Sequence, residues 1–438
     1  MFAILAIALS VGTYFSSGSA QEQQIGTFHG RNIIIPESSI PHPGRINTNY
    51  FIVGSREFTP QPPSDAETPA SLACVYQLVD GPPGCPIATS TNVPTGGVGA
   101  IAIVDAGDYP TAASDLHAFS AQFGLPDADL TVVYADGTKP PVYSDWIVEE
   151  ALDIEWAHAM APKAKLIAYI GSGKLQQSLI RDEAMVRDNP GAIISNSLGQ
   201  CEARLPDAAR AQAQEVWDRA AATGMSHYVA SGDLGAYDCN GHPDVLSVDF
   251  PSALPSVTAV GGTSIFLGTK PGYYREVAWG DAISGSGAGG GVSLNYERPS
   301  WQKGQGVDNG DSASPATRQV PDVAGVSDTN TGWSILLGGK ENQIGGTSAA
   351  APLWAGFTAL IDQDMAKNGL KPVGFANPAL YWMAQQSDLS PPPFHDVTVG
   401  TNFRYKATTG WDFVTGWGTP DVDALDQAWQ RFQRQGGG

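Results

Sequence analysis

An α/β fold is predicted, with a mostly parallel central sheet and helices on both of its faces. Two observations predict it. From residue 98 onward, short apolar runs rich in Val and Ile alternate with longer segments of helical spacing. Strand–helix–strand crossovers produce such alternation, and they give parallel strands. Several polar clusters, namely Asp105, "NSLGQCE" and "SGDLG", fall directly after apolar runs. In open parallel sheets, sites form beyond the carboxyl ends of the strands.

The elements follow in chain order. "VGAIAIVDAG" (98–107) reads as a buried strand entering a turn, and "DLTVVYA" (129–135) as a second strand. "WIVEEALDIEWAHAMA" (146–161) has helical spacing, with Ile147, Ala151, Ile154 and Ala157 or His158 on related faces. "AKLIAYIG" (164–171) is a strand and 174–188 a helix. "GAIISNS" (191–197) is a strand, and the Ala-rich stretch 205–223 a helix. "MSHYVASG" (225–232) and "SVTAVGG" (256–262) are further strands, and 348–367 is a helix. The chain carries no internal repeat. Glycine-rich stretches at 283–292 and 304–313 read as surface connections.

The ends differ in composition. Residues 2–15, "FAILAIALSVGTYF", are apolar and precede the small residues "SSGSA". Residues 1–20 therefore read as a secretory signal peptide. No Lys or Arg precedes the run, and the first basic residue is Arg31. The run is short for a membrane span, and no other stretch is long and apolar enough. Residues 21–68, rich in Pro, Ser and polar residues, read as an extended N-terminal segment. One folded domain is expected over 69–432, with a Gly-rich tail at 433–438.

The chain has 438 residues, 42% hydrophobic and 16% charged, which permits a large core and excludes wholesale disorder. Its formal net charge of −20 and pI of about 4.6 disfavour nucleic acid and anionic membranes as partners. Such a surface suits low pH, where protonated carboxylates bring the charge nearer zero. Cys74, Cys85, Cys201 and Cys239 form an even set in a chain read as exported, so two disulfides are expected. Three pairings are open, and Cys74–Cys85 with Cys201–Cys239 is preferred. No C-x-x-C metal pattern occurs.

The stretch "IGGTSAAAPLWAGF" (344–357) presents Ser348 on a small-residue turn before an apolar helix. A serine hydroxyl needs a base to become a nucleophile. None of the seven histidines sits in a catalytic pattern. "EEALDIEW" offers another base. Glu149 and Asp153 are spaced i, i+4, so both carboxyls project from one helix face. Two close carboxylates can share a proton and push their apparent pKa values apart. Glu150 competes for the same role, and the i, i+4 spacing to Asp153 selects Glu149. In "VASGDLG" (229–235), Asp233 follows a strand, and a carboxyl can donate to an oxyanion only when protonated. Both features point to acidic pH.

Helical "E-x-x-x-D", strand-end "SGD-x-G" and "GGTSA-x-xP", in that order, resemble the sedolisin family of serine-carboxyl peptidases. The resemblance covers roughly 69–432. It implies a subtilisin-like fold, Ser348 as nucleophile, Glu149 as general base, Asp153 as its orienting partner and Asp233 as oxyanion support. "IAIVDAG" is similar to the aspartate turn of subtilisin-like proteases, but their "HGT" motif is absent here. Asp105 reads either as a further member of the carboxyl network or as a turn cap. "FHDVTVG" (394–400) and "TTGWDFVTGWG" (408–418) resemble the sedolisin calcium loops. The resemblance implies one structural Ca2+, held by Asp396 and Asp412 carboxylates and the carbonyls of Val397, Thr408 and Gly410. Thr408 stands where relatives often have glycine, a change a carbonyl ligand tolerates. The Cys201 and Cys239 motifs look like the paired-cysteine pattern of some bacterial sedolisins.

Two departures accompany the resemblance. Relatives carry a large folded prodomain, and residues 21–68 are too few for one, so either the protein folds without that aid or the sequence is incomplete at its start. Leu198 stands on the implied cleft wall where some relatives have Trp. The resemblance implies a secreted, monomeric, acid-acting endopeptidase on protein or peptide substrates. A tripeptidyl exopeptidase is the close variant. A catalytically silent, calcium-stabilised binding protein and a neutral subtilisin-like enzyme are the rivals.

Overall fold

Residues 100–106 alternate faces, and both faces are apolar. Ile101 and Ile103 belong to one core, Ala102 and Val104 to another. A strand buried on both faces belongs at the centre of a parallel sheet, and the computed structural model places it there. It describes residues 23–28, 31–53, 66–239, 245–267, 274–282, 284–307 and 316–437. The expected signal peptide lies outside these residues.

The central sheet contains β1 (Ala100–Ala106), β2 (Leu130–Tyr134), β3 (Lys165–Gly171), β4 (Ile193–Asn196), β5 (Ser226–Ala230), β6 (Thr258–Leu267), β7 (Tyr274–Ala278) and β8 (Val323–Val326). The strand order is β7-β6-β5-β4-β1-β3-β2, and β8 pairs with β6. Every pairing is parallel except that of β7 with β6. The longer helices among the described residues are α1 (Ala112–Phe123), α2 (Trp146–Met160), α3 (Leu175–Asp188), α4 (Asp207–Ala222), α5 (Thr347–Lys367) and α6 (Val422–Arg434). Leu152 and Trp156 of α2 share one core with Leu353 and Trp354 of α5. Leu179 of α3 and Trp217 of α4 fill the opposite one. This is the subtilisin-like α/β arrangement.

A second, antiparallel sheet holds part of the N-terminal segment. Its order is Gln23–Phe28, Arg31–Ile35, Phe51–Val53, Lys340–Gly345, Trp333–Leu337. Phe51–Val53 is thus wedged beside the strand that leads into Ser348. Both preferred disulfides are present, Cys74–Cys85 and Cys201–Cys239, with Cα atoms 5.5 and 4.8 Å apart.

The glycine-rich loop at 283–292 is a correction. Ala288, Gly289 and Gly290 are buried, not surface connections. A Cβ on Gly289 or Gly290 would come within 2.0 Å of the Ser231 or the Phe413 carbonyl oxygen. The glycines permit close backbone packing there.

Candidate active site

Ser348 is the second residue of α5, and Gly346 precedes that helix with φ of +134°. A Cβ at Gly346 would lie 2.2 Å from the Asn49 carbonyl oxygen and 2.6 Å from Asp233 Oδ2. Only glycine lets the backbone pass here. Pro352 removes the N–H that would bond the Ser348 carbonyl within the helix. The Ser197 hydroxyl stands 3.1 Å from that carbonyl instead.

Ser348 is fully buried. Its hydroxyl donates to the Ser197 carbonyl (3.2 Å) and accepts from the Asn49 N–H (3.2 Å). Its own N–H donates to the Asn49 carbonyl (3.1 Å). Asp153 Oδ1 accepts from the Ser197 hydroxyl (2.7 Å). Asp233 Oδ1 accepts from the Thr347 N–H (2.7 Å) and hydroxyl (2.8 Å), while its Oδ2 is buried and unpaired. Ser348, Asp153 and Asp233 are thus tied together through Ser197 and Thr347, and Glu149 lies near enough to feel Ser348, Asp153 and Asp233 although neither of its carboxyl oxygens makes a hydrogen bond among the described residues. Ser197 and Asn49 join them and were not anticipated. Ser197 lay in the flagged "NSLGQCE" cluster; Asn49 lay in a segment with no periodic signal.

Burial dominates the electrostatics. Glu149 and Asp153 have no exposed surface, and neither pairs with a cation among the described residues. Desolvation pushes the Glu149 carboxyl well above its ordinary range, and negative charge on Asp153, Asp105 and Asp233 adds to this. The neighbouring Ser348 hydroxyl opposes the shift. Desolvation and Asp105 raise Asp153, and the Ser197 hydroxyl opposes it. Asp233 is raised by burial, against the two bonds from Thr347. Asp105 Oδ1 accepts from the Ala106 N–H (2.8 Å), so it caps a turn, yet its charge also reaches Glu149 and Asp153. Burial pushes it up to about 8. Glu150 faces Asp105, Asp108 and Asp153, with no interaction with Ser348.

The described histidines lie elsewhere. His158 Nε2 is 2.8 Å from the Pro126 carbonyl, and His227 stacks on Trp217. His117 pairs with Asp127 at the surface, His395 lies beside Glu276, and His42 rims a cavity near Trp146. Leu198 packs against Trp146, Ala106 and Ile46.

The residues anticipated as calcium ligands also converge. The Gly410 N–H donates to Asp396 Oδ2 (3.0 Å) and the Thr408 N–H to Asp412 Oδ2 (3.0 Å). Val414 and Thr415 N–H groups donate to Asp412 Oδ1 (2.8 and 2.9 Å). Among the described residues no hydrogen bond ends on the carbonyls of Val397, Thr408 or Gly410. Two carboxylates and three unengaged carbonyls are hard oxygen donors of the kind calcium takes. No group of three or more His, Cys, Asp or Glu side chains among the described residues could hold a metal. The donor set depends on its backbone carbonyls.

The Subtilase family model matches residues 143–418, which is more than half of the chain. The solved structure of Pseudomonas sedolisin, a serine-carboxyl proteinase complexed with two molecules of pseudo-iodotyrostatin, superposes with a TM-score of 0.71 at 28% identity. That match covers 85% of this chain and 99% of the sedolisin chain. The chain belongs to the subtilase family, in its sedolisin group. Among curated sedolisins and their kin, kumamolisin of Bacillus sp. strain MN-32 is 36% identical over 83% of this chain and 63% of its own length. Sedolisin of Pseudomonas sp. strain 101 is 31% identical over 77% and 58%. Tripeptidyl-peptidase sed1 of Aspergillus fumigatus is 35% identical over 54% and 40%. The chain spans about six-tenths of the length of the first two sedolisin relatives.

Proposed function

We propose that this chain is a secreted, acid-acting serine-carboxyl endopeptidase. The observation that carries the reading is a buried serine set among the buried carboxyls of Glu149, Asp153 and Asp233, with none of the described histidines beside it. Ser348 Oγ attacks the substrate carbonyl and passes its proton to Glu149. Asp153, fixed by the Ser197 hydroxyl, orients Glu149 and shares its proton. The Ser348 N–H and a protonated Asp233 hold the oxyanion. Glu149 then protonates the leaving amine, and a water activated by Glu149 hydrolyses the acyl-enzyme. Two disulfides and the leader-like run at 2–15 support export to an oxidising compartment. No helix among the described residues is long and apolar enough to cross a membrane.

The test is a pH–rate profile on a mixed peptide library. Activity should be confined to acid. On the alkaline side it should fall as Asp233 loses its proton. Asp233→Asn keeps a donor at every pH, so it should carry activity to higher pH. An unchanged alkaline limb removes Asp233 as the titrating donor, and activity rising toward neutrality would sink the carboxyl mechanism.

The tripeptidyl-peptidases among the relatives favour a second reading, an exopeptidase that releases tripeptides. Blocking the substrate's N-terminus separates the two, because only the endopeptidase still cuts.

One structural calcium belongs to the same proposal. Asp396, Asp412 and the carbonyls of Val397, Thr408 and Gly410 would hold it, and it would tie the 394–400 loop to the 408–412 turn. At saturation such an ion contributes ~3 kcal/mol. Asp412→Ala should lower the melting temperature by several degrees and abolish its response to calcium. A wild-type melting temperature that ignores chelator would remove the assignment.

A further inference from the structure

Two stretches of backbone frame a path for an extended chain beside Ser348. On one side the Ile46 N–H donates to the Gly173 carbonyl (3.1 Å), and Arg45 bridges antiparallel to Lys174. On the other side Asn47 and Thr48 pair antiparallel with Gly199 and Leu198. The path reaches the nucleophile where the Asn49 carbonyl accepts from the Ser348 N–H (3.1 Å). A scissile carbonyl would take that place. Ile46 therefore stands where the third residue before the attacked one would stand. Continuing the antiparallel register by one residue sets Ile46 opposite Gln200, and directly opposite residues put their side chains on the same face. Leu198 and Gln200, two apart on the strand Leu198–Cys201, share that face, and Leu198 packs against Ile46. Ile46 and Gln200 accordingly line one small cavity of about 20 Å³, walled by Leu175, Leu179 and Trp217.

Gln200 is 2% exposed, and its Oε1 and Nε2 are both buried with no hydrogen-bond partner among the described residues. The other polar side chains of this wall are engaged. The Ser178 hydroxyl donates to the Lys174 carbonyl (3.2 Å), and Asn196 Oδ1 accepts from the Leu198 N–H (3.0 Å). Arg181 donates to the Asp182 carboxylate and the Asp105 carbonyl (2.9 Å each). The aliphatic Ile46 has nothing to offer the Gln200 amide. A buried amide without partners is costly, and an occupant that supplies both a donor and an acceptor removes the cost. A carboxamide supplies both. An ammonium lacks the acceptor, and an ionised carboxylate lacks the donor.

We propose that Gln200 is a specificity-determining residue of the cleft, and that it selects peptides carrying Gln or Asn three residues before the attacked one. The inference rests on the peptidase reading above. The substrate carboxamide takes the space that Ile46 fills, donates to Gln200 Oε1 and accepts from Gln200 Nε2. Leu175, Leu179 and Trp217 keep water from competing for these bonds, so a substrate without the matching groups leaves the Gln200 amide buried and unpaired.

The test is a competition between two peptides cut at the same bond, with the bond identified by product mass. They differ only at the third residue before the attacked one, which is Gln in one and Met, its apolar near-isostere, in the other. The wild-type chain is expected to cut the Gln peptide with a kcat/KM higher by ~10-fold or more. Gln200→Met should bring that ratio to one or below, and Gln200→Leu should do the same if the Met variant does not fold. Two peptides that differ instead at the second residue before the attacked one should keep their ratio in the variant. A wild-type chain that cuts the Gln and Met peptides equally or prefers Met would overturn the inference and leave the peptidase reading standing. A variant that keeps the wild-type ratio would overturn it too. Cutting of neither peptide at any pH would sink both.

Discussion

Ser348→Ala should remove peptide hydrolysis and leave the folded state in place. The loss expected for a serine nucleophile is ~10⁶-fold in kcat. The cost in stability should be small. The hydroxyl makes two long hydrogen bonds of 3.2 Å, each worth about 1 kcal/mol or less. A buried Ala fits where a buried Ser stood. Calorimetry beside a peptide assay makes the check. Retained turnover would move the nucleophile elsewhere, whereas an unfolded variant would make Ser348 a structural residue.

Thermal stability should be greatest in acid and fall as the pH rises. Burial pushes Glu67 up to about 7 and Asp105 and Asp249 up to about 8. Burial also raises Glu149, Glu150, Asp153, Glu155 and Asp233. The sign follows from linkage. An unfolded carboxyl releases its proton near pH 4, whereas these folded ones hold theirs to higher pH. Their contribution is therefore complete below about pH 4 and is lost as the pH climbs through 7 to 8. A carboxyl that holds its proton ten times more tightly in the folded chain than in the unfolded one contributes about 1.4 kcal/mol, so a few such groups rival the whole stability of a domain. A melting temperature lower by ~10 °C or more at pH 8 than at pH 4 is expected. A flat profile would mean that cations neutralise these carboxyls.

Much of this was legible in the chain. Strands with two apolar faces, such as 100–106, can sit only inside a sheet. Glu149 and Asp153 face the same way because a helix repeats every 3.6 residues. Helix α6 was also readable, since Val422, Leu425, Ala428 and Trp429 recur at helical spacing, although the helices expected from sequence end at 367. Asn49 was not readable. Its partner Ser348 lies 299 residues away, and a backbone amide leaves no mark in a side-chain pattern. The run "YFIV" after it is apolar, but only the strand at 340–345 reveals what it pairs with. The 283–292 loop misled because glycine serves both exposed turns and tight packing, and composition does not separate the two.

The site is stitched from Asn49, Glu149, Ser197, Asp233 and Ser348, which span most of the chain. During synthesis the carboxyls emerge long before the serine that they serve. Phe51–Val53 must wait for 340–345 before it has a neighbour on that side. No stretch of nascent chain that ends before α5 contains Ser348. The proposed site is therefore incomplete until that helix has been made. Contacts of such long range also make folding slow. The moment at which the site is completed and the rate of folding are thus governed together by the order of residues along the chain.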